Sequence, residues 1–415
     1  MLKVLRQRNF GLLLLGQSVS LVGDWFLFIA LPFYIYDVTG SAFATSAMFI
    51  VEVLPRLLIG AFAGVFVDRW DRKKTMIGAD LLRALVLVPI IFAHSAGQVW
   101  VIYVVAFVNS AIGQFFNPAK SAIIPNLVSG DDLMPANALN SMTQPISRLV
   151  GPALGGLTMA LFGLSTVIAA DIGSFVFSAL MLALMVVPKT TSEHAHTTAR
   201  QAGSQWVHVW SEWAEGLRLL KNNRLLLALF VVFGVMMLGD SMITALVVPF
   251  VKQVMRGDAM ILGWAMTAQA AGSLIGGVAV GRLGRNWSPS RLISVALLVT
   301  GLLTLVTFNL PIISVVVSML FVIGLFGPAA FITVETLLQT HTQDEYRGRI
   351  FGTLGMTMAL ASLIGMAFAG FWGDSLGTVT VLNLAATLYI ASGLIAIVML
   401  RQPSPQPASS IVAAE

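Results

Sequence analysis

The sequence has no cysteine and little charge, and these two absences exclude most soluble functions. Without cysteine among its 415 residues, the chain has no disulfide framework, thiolate metal site or cysteine nucleophile. Charged residues make up only 10% of the chain, whereas a soluble globular domain carries roughly 25%. Hydrophobic residues make up 57%. The composition therefore predicts a membrane protein, and excludes a soluble enzyme or a nucleic-acid-binding protein.

Groups that bind a metal ion or a nucleotide are also missing. The five histidines are too scattered along the sequence to form a metal cluster. No glycine-rich loop of the Gly-x-x-x-x-Gly-Lys type is present, which excludes ATP hydrolysis as the energy source. We therefore predict no metal, no cofactor and no enzymatic activity.

Apolar stretches long enough to cross a bilayer, about 20 residues each, fill almost the whole chain. The second stretch follows the first at once, so the N-terminal stretch is not a cleavable signal peptide. The predicted spans are 10–36, 44–67, 76–93, 99–116, 139–162, 165–187, 225–249, 260–281, 291–309, 312–336, 348–372 and 378–400. The predicted fold class is an all-α membrane protein with twelve transmembrane helices.

Basic residues gather in the loops that share one side of the membrane when twelve helices alternate. They precede helix 1, fill the loops after the even-numbered helices and include Arg401 after helix 12. The opposite loops hold little positive charge beyond Lys252 and Arg256. Because cytoplasmic loops carry an excess of Lys and Arg, both termini and the long central loop are predicted to be cytoplasmic. The expected location is the inner membrane of a cell.

Hydropathy breaks once, between residues 188 and 224, and this break predicts two bundles of six helices. We assign 1–187 to an N-terminal bundle, 188–224 to a cytoplasmic linker, 225–401 to a C-terminal bundle and 402–415 to a disordered cytoplasmic tail. In the linker, Trp206, Trp210 and Trp213 recur at helical spacing, which is typical of an amphipathic helix on the inner membrane face. A simple tether is the alternative.

The two halves repeat short motifs at matching positions. Residues 64–72, at the end of helix 2, correspond to residues 277–285 at the end of helix 8. Gly-Asp followed by Pro-Phe occurs in helix 1 at 23–24 and 32–33, and in helix 7 at 239–240 and 249–250. These echoes indicate a duplication, and hence two pseudo-symmetric bundles. A parallel six-plus-six repeat is how one transporter architecture builds a central site between two rocking halves.

At these residues the sequence resembles the major facilitator superfamily, over residues 5–400. Residues 64–74 resemble the signature loop of that family between helices 2 and 3, with Asp71 where glycine is usual. Residues 116–125 resemble the subgroup that includes enterobactin exporters and macrolide efflux proteins. Four residues of helix 5 are similar to the motif of antiporting exporters: Gly151, Pro152, Gly155 and Gly156. The resemblance implies the major facilitator fold and a secondary exporter.

The resemblance also implies a mechanical role for the loop between helices 2 and 3. In the family, the aspartate that corresponds to Asp68 meets the N-terminal end of helix 11, near residues 349–352, where the helix dipole favours an anion. Together with Gly64, Arg69 and Arg72, this contact is expected to hold the two halves closed on the cytoplasmic side. Independently of that role, these basic residues belong to a positive-inside loop.

Acidic residues within the predicted helices are the main candidates for function. An ionised side chain near the bilayer centre costs about 2.5 to 3.5 kcal/mol, so it needs a partner, a water-filled cavity or a neutral form. Six acids raise this question: Asp24, Glu52, Asp80, Asp171, Asp240 and Glu335. Asp24 lies on the order of 20 Å into helix 1, and Asp240 at the equivalent depth of helix 7. We predict Asp24, Asp240 and Glu52 as proton-coupling residues; Asp171, close to the outer surface, and Glu335, near an inner end, are not chosen.

Helical spacing predicts which side chains share a central cavity. Residues four or seven positions apart lie on the same face of a helix. This spacing groups one set of side chains on a face of helix 1 and another set on a face of helix 7. The predicted substrate-binding residues are Gln17, Asp24, Phe28, Arg56, Met236, Asp240, Thr244 and Phe331. A carboxyl in such a cavity can be occupied by a proton or by a cationic substrate, and this competition is antiport. The alternative is that Asp24 only bonds to a neighbouring helix.

Two local ion pairs are predicted from spacing alone. Glu52 and Arg56 are four residues apart in the favourable order, so they are expected to neutralise each other. Arg56 alternatively binds an anionic head group. Asp80 and Arg83, three apart in helix 3, are expected to pair near the cytoplasmic end.

Together these features predict a monomeric secondary transporter that exports an amphipathic small molecule, such as a drug, a macrolide or a siderophore-like compound, by proton antiport with alternating access. Its expected partners are that substrate, protons and membrane lipids, without nucleic acid. A lysolipid or lipid flippase of the same fold is the first alternative. A non-transporting membrane receptor or scaffold is the alternative from another class.

Overall fold

The computed structural model describes residues 2–93, 95–187, 223–284 and 287–400, together with residues 213, 214, 217, 218 and 220 of the central loop. Within these residues the regular structure is helical and no strand occurs. Most of the predicted amphipathic helix, including Trp206 and Trp210, lies outside the described residues, as do Arg285 and the predicted tail 402–415.

Outside the partly described central loop, twelve helices of the described residues follow a short helical turn at Leu2–Leu5. Among the described residues, eleven segments are long and apolar enough to cross a membrane, and one of these contains two helices. The helices are α1 Arg8–Thr39, α2 Ala42–Val67, α3 Arg72–Leu87, α4 Val99–Leu127, α5 and α6 within Leu133–Ala183, α7 Arg224–Pro249, α8 Ala259–Leu283, α9 Pro289–Asn309, α10 Ile313–His341, α11 Asp344–Leu376 and α12 Thr378–Met399. A 3-10 turn, Val88–Phe92, extends α3, and a π turn, Phe250–Val254, extends α7. The prediction of a helical membrane protein is confirmed.

Glycine 163 separates α5, residues 133–162, from α6, residues 164–183. Its backbone has φ 75° and ψ 179°, a combination that a residue with a Cβ rarely adopts. The chain reverses there without a loop, as the predicted spans 139–162 and 165–187 require. The twelve predicted helices are therefore all present.

Polar residues begin several helices by accepting hydrogen bonds from free backbone amides. The Ser41 side chain accepts from the amide of Ala44 at the start of α2, and the Asp258 side chain accepts from Ile261 at the start of α8. Such caps satisfy donors that have no partner inside the helix. At the other end of α1, Gly40 takes the left-handed conformation with φ 63°.

The apolar cores show that the two bundles separate at one end and join at the other. We call the end that carries the N-terminus and Asp68 the inner end, and the end that carries Gly40 and Gly377 the outer end. At the inner end each bundle has its own cluster, one around Phe10 and one around Phe230. At the outer end a single cluster contains residues of both bundles: Ile29, Phe33, Phe49, Leu246, Phe250 and Leu382.

Polar contacts between the bundles also lie at the outer end. Lys252 of the turn after α7 forms an ion pair with Asp37 of α1, with 2.6 Å between Nζ and Oδ1. Asp374 of α11 accepts hydrogen bonds from the amide of Ala42, at 2.9 Å, and from the hydroxyl of Ser41, at 3.0 Å. Among the described residues no hydrogen bond or ion pair joins the inner ends of α2 and α11. The protein is thus closed at the outer end and open at the inner end.

Candidate functional site

A cavity of about 250 Å³ lies inside the N-terminal bundle, and side chains from α1 to α5 line it. Its lining is largely polar, which is unusual among helices this apolar. The polar lining residues are Gln17, Ser20, Asp24, Glu52, Arg83, Asn109, Ser110, Gln114, Asn117 and Gln144. Within the described residues, no three His, Asp or Glu side chains are grouped to hold a metal ion. The cavity therefore provides hydrogen-bonding groups and a few charges.

Asp24 is joined to Arg83 of α3 in this cavity. The distance between Asp24 Oδ1 and Arg83 Nη2 is 2.6 Å, and the side chains are 32% and 12% exposed. Arg83 Nε donates to Asn109 Oδ1 at 3.0 Å, and Arg83 Cζ lies 4.1 Å from the centre of the Phe175 ring. The predicted pairing of Arg83 with Asp80 is therefore wrong: the guanidinium points across to α1, where it neutralises the cavity acid.

Two further acids lie buried next to this pair. Asp171 of α6 is 0% exposed; its Oδ1 accepts a hydrogen bond from Ser174 Oγ at 3.0 Å, and its Oδ2 has no hydrogen-bond partner among the described residues. Asp80 of α3 is 0% exposed as well; it lies next to Ser178 of α6, but within the part of the chain that the structure describes its carboxylate oxygens accept no hydrogen bond of ordinary geometry. The position predicted for Asp171, near the outer surface, is wrong. The first residues of α6 lie further from the outer surface than the last residues of α1. Asp171 therefore packs against Gly23, in the middle of α1.

Glu52 of α2, predicted as a proton-coupling residue, lines the same cavity as Asp24 and Arg83. Its expected ion pair with Arg56 is not formed, although both side chains are described and exposed. The Glu52 backbone carbonyl instead accepts from Ser110 Oγ of α4 at 2.7 Å. Glu52 thus provides the cavity with a second carboxylate, which lies near the Asp24–Arg83 pair but forms no ion pair of its own among the described residues, whereas Arg56 does not contribute to the lining.

The other two residues predicted on α1, Gln17 and Phe28, also line the cavity. Gln17 is 4% exposed, and its Oε1 has no hydrogen-bond partner among the described residues. The Phe28 ring lies 5.5 Å from that of Phe49 and 5.1 Å from that of Trp25. The predicted face of α1 therefore points into one cavity.

The C-terminal candidates do not gather in the same way. Asp240 of α7 is exposed, lies outside the cavity lining, and accepts a hydrogen bond at 2.7 Å from the Tyr389 hydroxyl of α12. The Thr244 hydroxyl donates to the backbone carbonyl of Asp240 at 3.0 Å. Met236 belongs to the core of its own bundle, and Phe331 of α10 is exposed with its ring 5.5 Å from that of Phe233. The structure thus does not place these four residues in the cavity of Asp24.

The glycine motif of α5 packs against two different helices. Gly151 and Gly155 face Trp25 and Phe26 of α1, within the N-terminal bundle. Gly156 and the carbonyl of Pro152 face α8 of the other bundle, at Ala259 and Gly263. Next to this crossing, the Thr267 hydroxyl of α8 donates to the Leu149 carbonyl at 2.9 Å. The motif therefore joins α5 to the cavity helix and to the opposite bundle at once.

The predicted cytoplasmic latch is open in this structure. Asp68 and Arg69 are exposed and form no hydrogen bond or ion pair with α11 among the described residues. Arg72 donates to the backbone carbonyl of Ala122 of α4, at 2.8 Å, and stays within the N-terminal bundle. Gly64 has open space around it. This arrangement agrees with bundles that separate at the inner end.

Sequence reasoning did not identify four residues of these sites. Arg83 was assigned the wrong partner, Asp171 the wrong depth, and Asn109 and Tyr389 no role. Asn109 had a signal in the sequence, because a polar amide within a predicted apolar span has the same need for a partner as a charge. Tyr389 had none, because a tyrosine is common in membrane helices.

Comparison with known proteins identifies relatives over nearly the whole chain. A family model described as "Transmembrane secretion effector" matches residues 1–411. Macrolide efflux protein A of Streptococcus pyogenes is 29% identical over 384 residues, which cover 92% of this chain and 93% of that protein. The multidrug efflux pump Tap of Mycobacterium bovis is 28% identical over 410 residues, which cover 95% of this chain and 94% of that protein.

Among solved structures, a bacterial homologue of the iron transporter ferroportin in an inward-facing state has a similar fold. It superposes with a TM-score of 0.74 at 14% identity, over 95% of this chain and 99% of that one. At this identity the likeness concerns the fold alone.

Proposed function

This chain belongs to the transmembrane secretion effector family, within the major facilitator superfamily, and we propose that it exports an amphipathic small molecule in exchange for protons. Members of this superfamily are transporters and not enzymes, so the chain is a multi-pass membrane transporter. The names of the macrolide and multidrug efflux relatives support the direction of transport and a macrolide-like or drug-like cargo.

The ion pair between Asp24 and Arg83 is the observation that supports proton coupling best. Asp24 lies at mid-membrane depth, is partly exposed to the cavity and depends on a single cation for its charge. A proton on Asp24 removes the attraction that holds Arg83 in place, and loss of that proton restores it. Glu52, which forms no ion pair within the described residues, is the second acid of the same cavity and the one that a cationic cargo contacts.

Alternating access follows from the way the bundles meet. In this structure the outer contacts are made and the inner ends are apart, so that the cavity side of α1 is reached from the inner end. We assign the inner end to the cytoplasm, with both termini there and the protein in the inner membrane, because the basic loops lie at this end. Cargo is then loaded from the cytoplasm in the state observed, and protons enter in the opposite state.

Transport in proteoliposomes tests this proposal. A radiolabelled macrolide should accumulate when a proton gradient is imposed, and protons should move in the opposite direction. Asp24→Asn should abolish gradient-driven accumulation and keep passive exchange of the macrolide. Asp131→Asn, the same change at an exposed acid in the loop before α5, is the matched control and should transport normally. Proton-driven accumulation that persists in Asp24→Asn would contradict the role of Asp24.

A lipid flippase is the second candidate, and one observation favours it. A cleft of about 290 Å³ lies between α5 and α8 of the two bundles, and Arg148 is exposed there with Gln144 and Ser273. An arginine in a side opening suits an anionic head group. Translocation of a labelled lysolipid, reduced by Arg148→Gln, would favour the flippase. Failure to move either macrolide or lysolipid would favour a non-transporting receptor.

A further inference from the structure

Asp171 of α6 packs against the turn of α1 that carries Asp24, next to the Asp24–Arg83 pair, and does not line the cavity. We propose that Asp171 is a second proton-binding site, which holds a proton in this structure and exchanges it with Asp24 while Arg83 changes partner. This inference rests on the proton-coupled transport proposed above and adds to it a residue that does not touch the cavity.

The packing of α1 against α6 brings the two carboxyls together. Gly23, the residue before Asp24, faces the Asp171 carboxylate and the Ser174 hydroxyl so closely that a Cβ at position 23 would overlap both. The Asp171 side chain therefore lies against the backbone of the turn that carries Asp24. Ser174 Oγ donates to one oxygen of Asp171, whereas the other has no partner among the described residues.

Arg83 is positioned to reach both acids. Its guanidinium pairs with Asp24 and at the same time lies over the ring of Phe175, four residues along α6 from Asp171 and on the same helix face. The flat guanidinium can slide on an aromatic face without losing that contact. A change of partner from Asp24 to Asp171 therefore needs a movement of the side chain alone.

Charge balance determines which acids carry protons. The charged groups that act on Asp171 are Asp24 from α1, and Asp80 and Arg83 from α3; α6 itself adds only the Ser174 hydroxyl. Glu52 of α2, which lines the cavity beside this pair, interacts with Asp24 and Arg83 as well, so four carboxyls share one guanidinium. An isolated buried carboxylate is too costly to persist, and it takes up a proton instead. Asp24 has the ion pair and Glu52 is exposed to the cavity, so Asp80 and Asp171 are the two buried acids that hold protons.

The exchange step keeps the charge of this cluster constant. The proton leaves the Asp171 carboxyl and binds to the Asp24 carboxylate, the Arg83–Asp24 ion pair breaks, and an Arg83–Asp171 pair forms. Asp24 becomes neutral without leaving Arg83 unpaired. A proton can then leave Asp24 for the cavity, or remain there, while the positive charge of Arg83 is balanced by Asp171 of α6.

Infrared spectroscopy of the purified protein at pH 7 tests the site without any transport measurement. Asp171→Asn should remove from the protonated-carboxyl band the intensity of one carboxyl group, and Asp80→Asn should remove a second. Asp131→Asn, at an exposed acid in the loop before α5, is the control and should remove none. A band that is the same in Asp171→Asn and in the control would overturn the inference.

The pH profile of transport tests the exchange itself. Without an alternative partner for Arg83, Asp24 should accept a proton only at more acidic pH, so Asp171→Asn should move the profile down by about one pH unit. Ser174→Ala keeps the acid and removes its hydrogen-bond donor, and should give a smaller shift of the same sign.

The outcomes separate this inference from the proposed function. Wild-type protein without proton-coupled flux would refute the proposed function, and the infrared band would still decide whether Asp171 is protonated. Coupled wild-type transport with an unchanged profile in both Asp171→Asn and Ser174→Ala would refute the exchange. Should Asp171→Asn fail to fold, Ser174→Ala tests the exchange in a protein that keeps the Asp171 carboxyl.

Discussion

Asp374 holds the outer ends of the two bundles together, and its removal should open them. The carboxylate at the end of α11 accepts hydrogen bonds from the first residues of α2: Ser41 Oγ at 3.0 Å, the Ala42 amide at 2.9 Å and the Phe43 amide at 3.4 Å. An anion is favoured there by the dipole of α2 as well. These contacts cross between bundles, so they exist only while the outer end is closed.

The size of the effect follows from the exposure of the site. Loss of a helix-capping side chain costs about 0.5 to 2 kcal/mol, and hydrogen bonds to charged groups contribute about 1.5 to 3 kcal/mol when shielded from water. Because Asp374 is exposed, we expect Asp374→Ala to destabilise the state closed at the outer end by about 1 to 2 kcal/mol. That difference corresponds to a change of about 5- to 30-fold in the ratio of the two states, in favour of the outward-open state.

Distances between spin labels at the outer end measure this ratio. The chain has no cysteine, so Gly97→Cys in the loop before α4 and Leu310→Cys in the loop before α10 give a clean pair of labels. Asp374→Ala should increase the population with a long distance. Asn223→Ala also removes a helix cap, but one at the start of α7 within the C-terminal bundle, and should leave the distances unchanged. Equal distributions in both variants would refute the assignment of Asp374 as an outer latch.

Two further predictions concern the other contacts between the bundles. Gly156→Ala places a methyl group against the Ala259 carbonyl of α8, so it should shift the same spin-label pair towards long distances. Gly173→Ala is its control, because a methyl group at that position meets open space. Equal shifts in the two variants would contradict the packing argument. Asp68→Asn should leave this inner-open state intact but weaken the state closed at the inner end, which cysteine labelling of the inner end under turnover would detect as longer exposure. Labelling at wild-type rates would remove Asp68 from the closing mechanism.

The positions of the helices could be predicted from the sequence because hydropathy is a local property. The predicted break between 162 and 165 falls at Gly163, where the backbone reverses. The predicted ends of the helices were less accurate where a helix extends beyond the hydrocarbon core of the membrane. The predicted span 99–116 continues as helix to Leu127, because hydropathy marks the part of α4 that suits a membrane and not the whole helix.

The partners of buried charges could not be predicted, because they depend on which helices are neighbours. Spacing within α3 allows Arg83 to pair with Asp80, but the bundle places Asp24 within its reach and leaves Asp80 between α3 and α6. The motifs repeated between the halves also did not predict the partners of their acidic residues. Asp24 and Asp240 occupy matching positions, yet one contacts an arginine and the other a tyrosine hydroxyl.

The two ends of the α2 and α11 pair resemble each other in chemistry, and this has an energetic consequence. At the outer end, the carboxylate after α11 meets the start of α2; at the inner end, the predicted partner of Asp68 after α2 is the start of α11. In the proposed alternating-access cycle, rocking of the bundles would exchange one carboxylate-to-helix contact for another of the same kind. The two states of such a cycle would differ little in free energy, so that the modest binding free energies of a proton and a cargo molecule would suffice to shift the population between them.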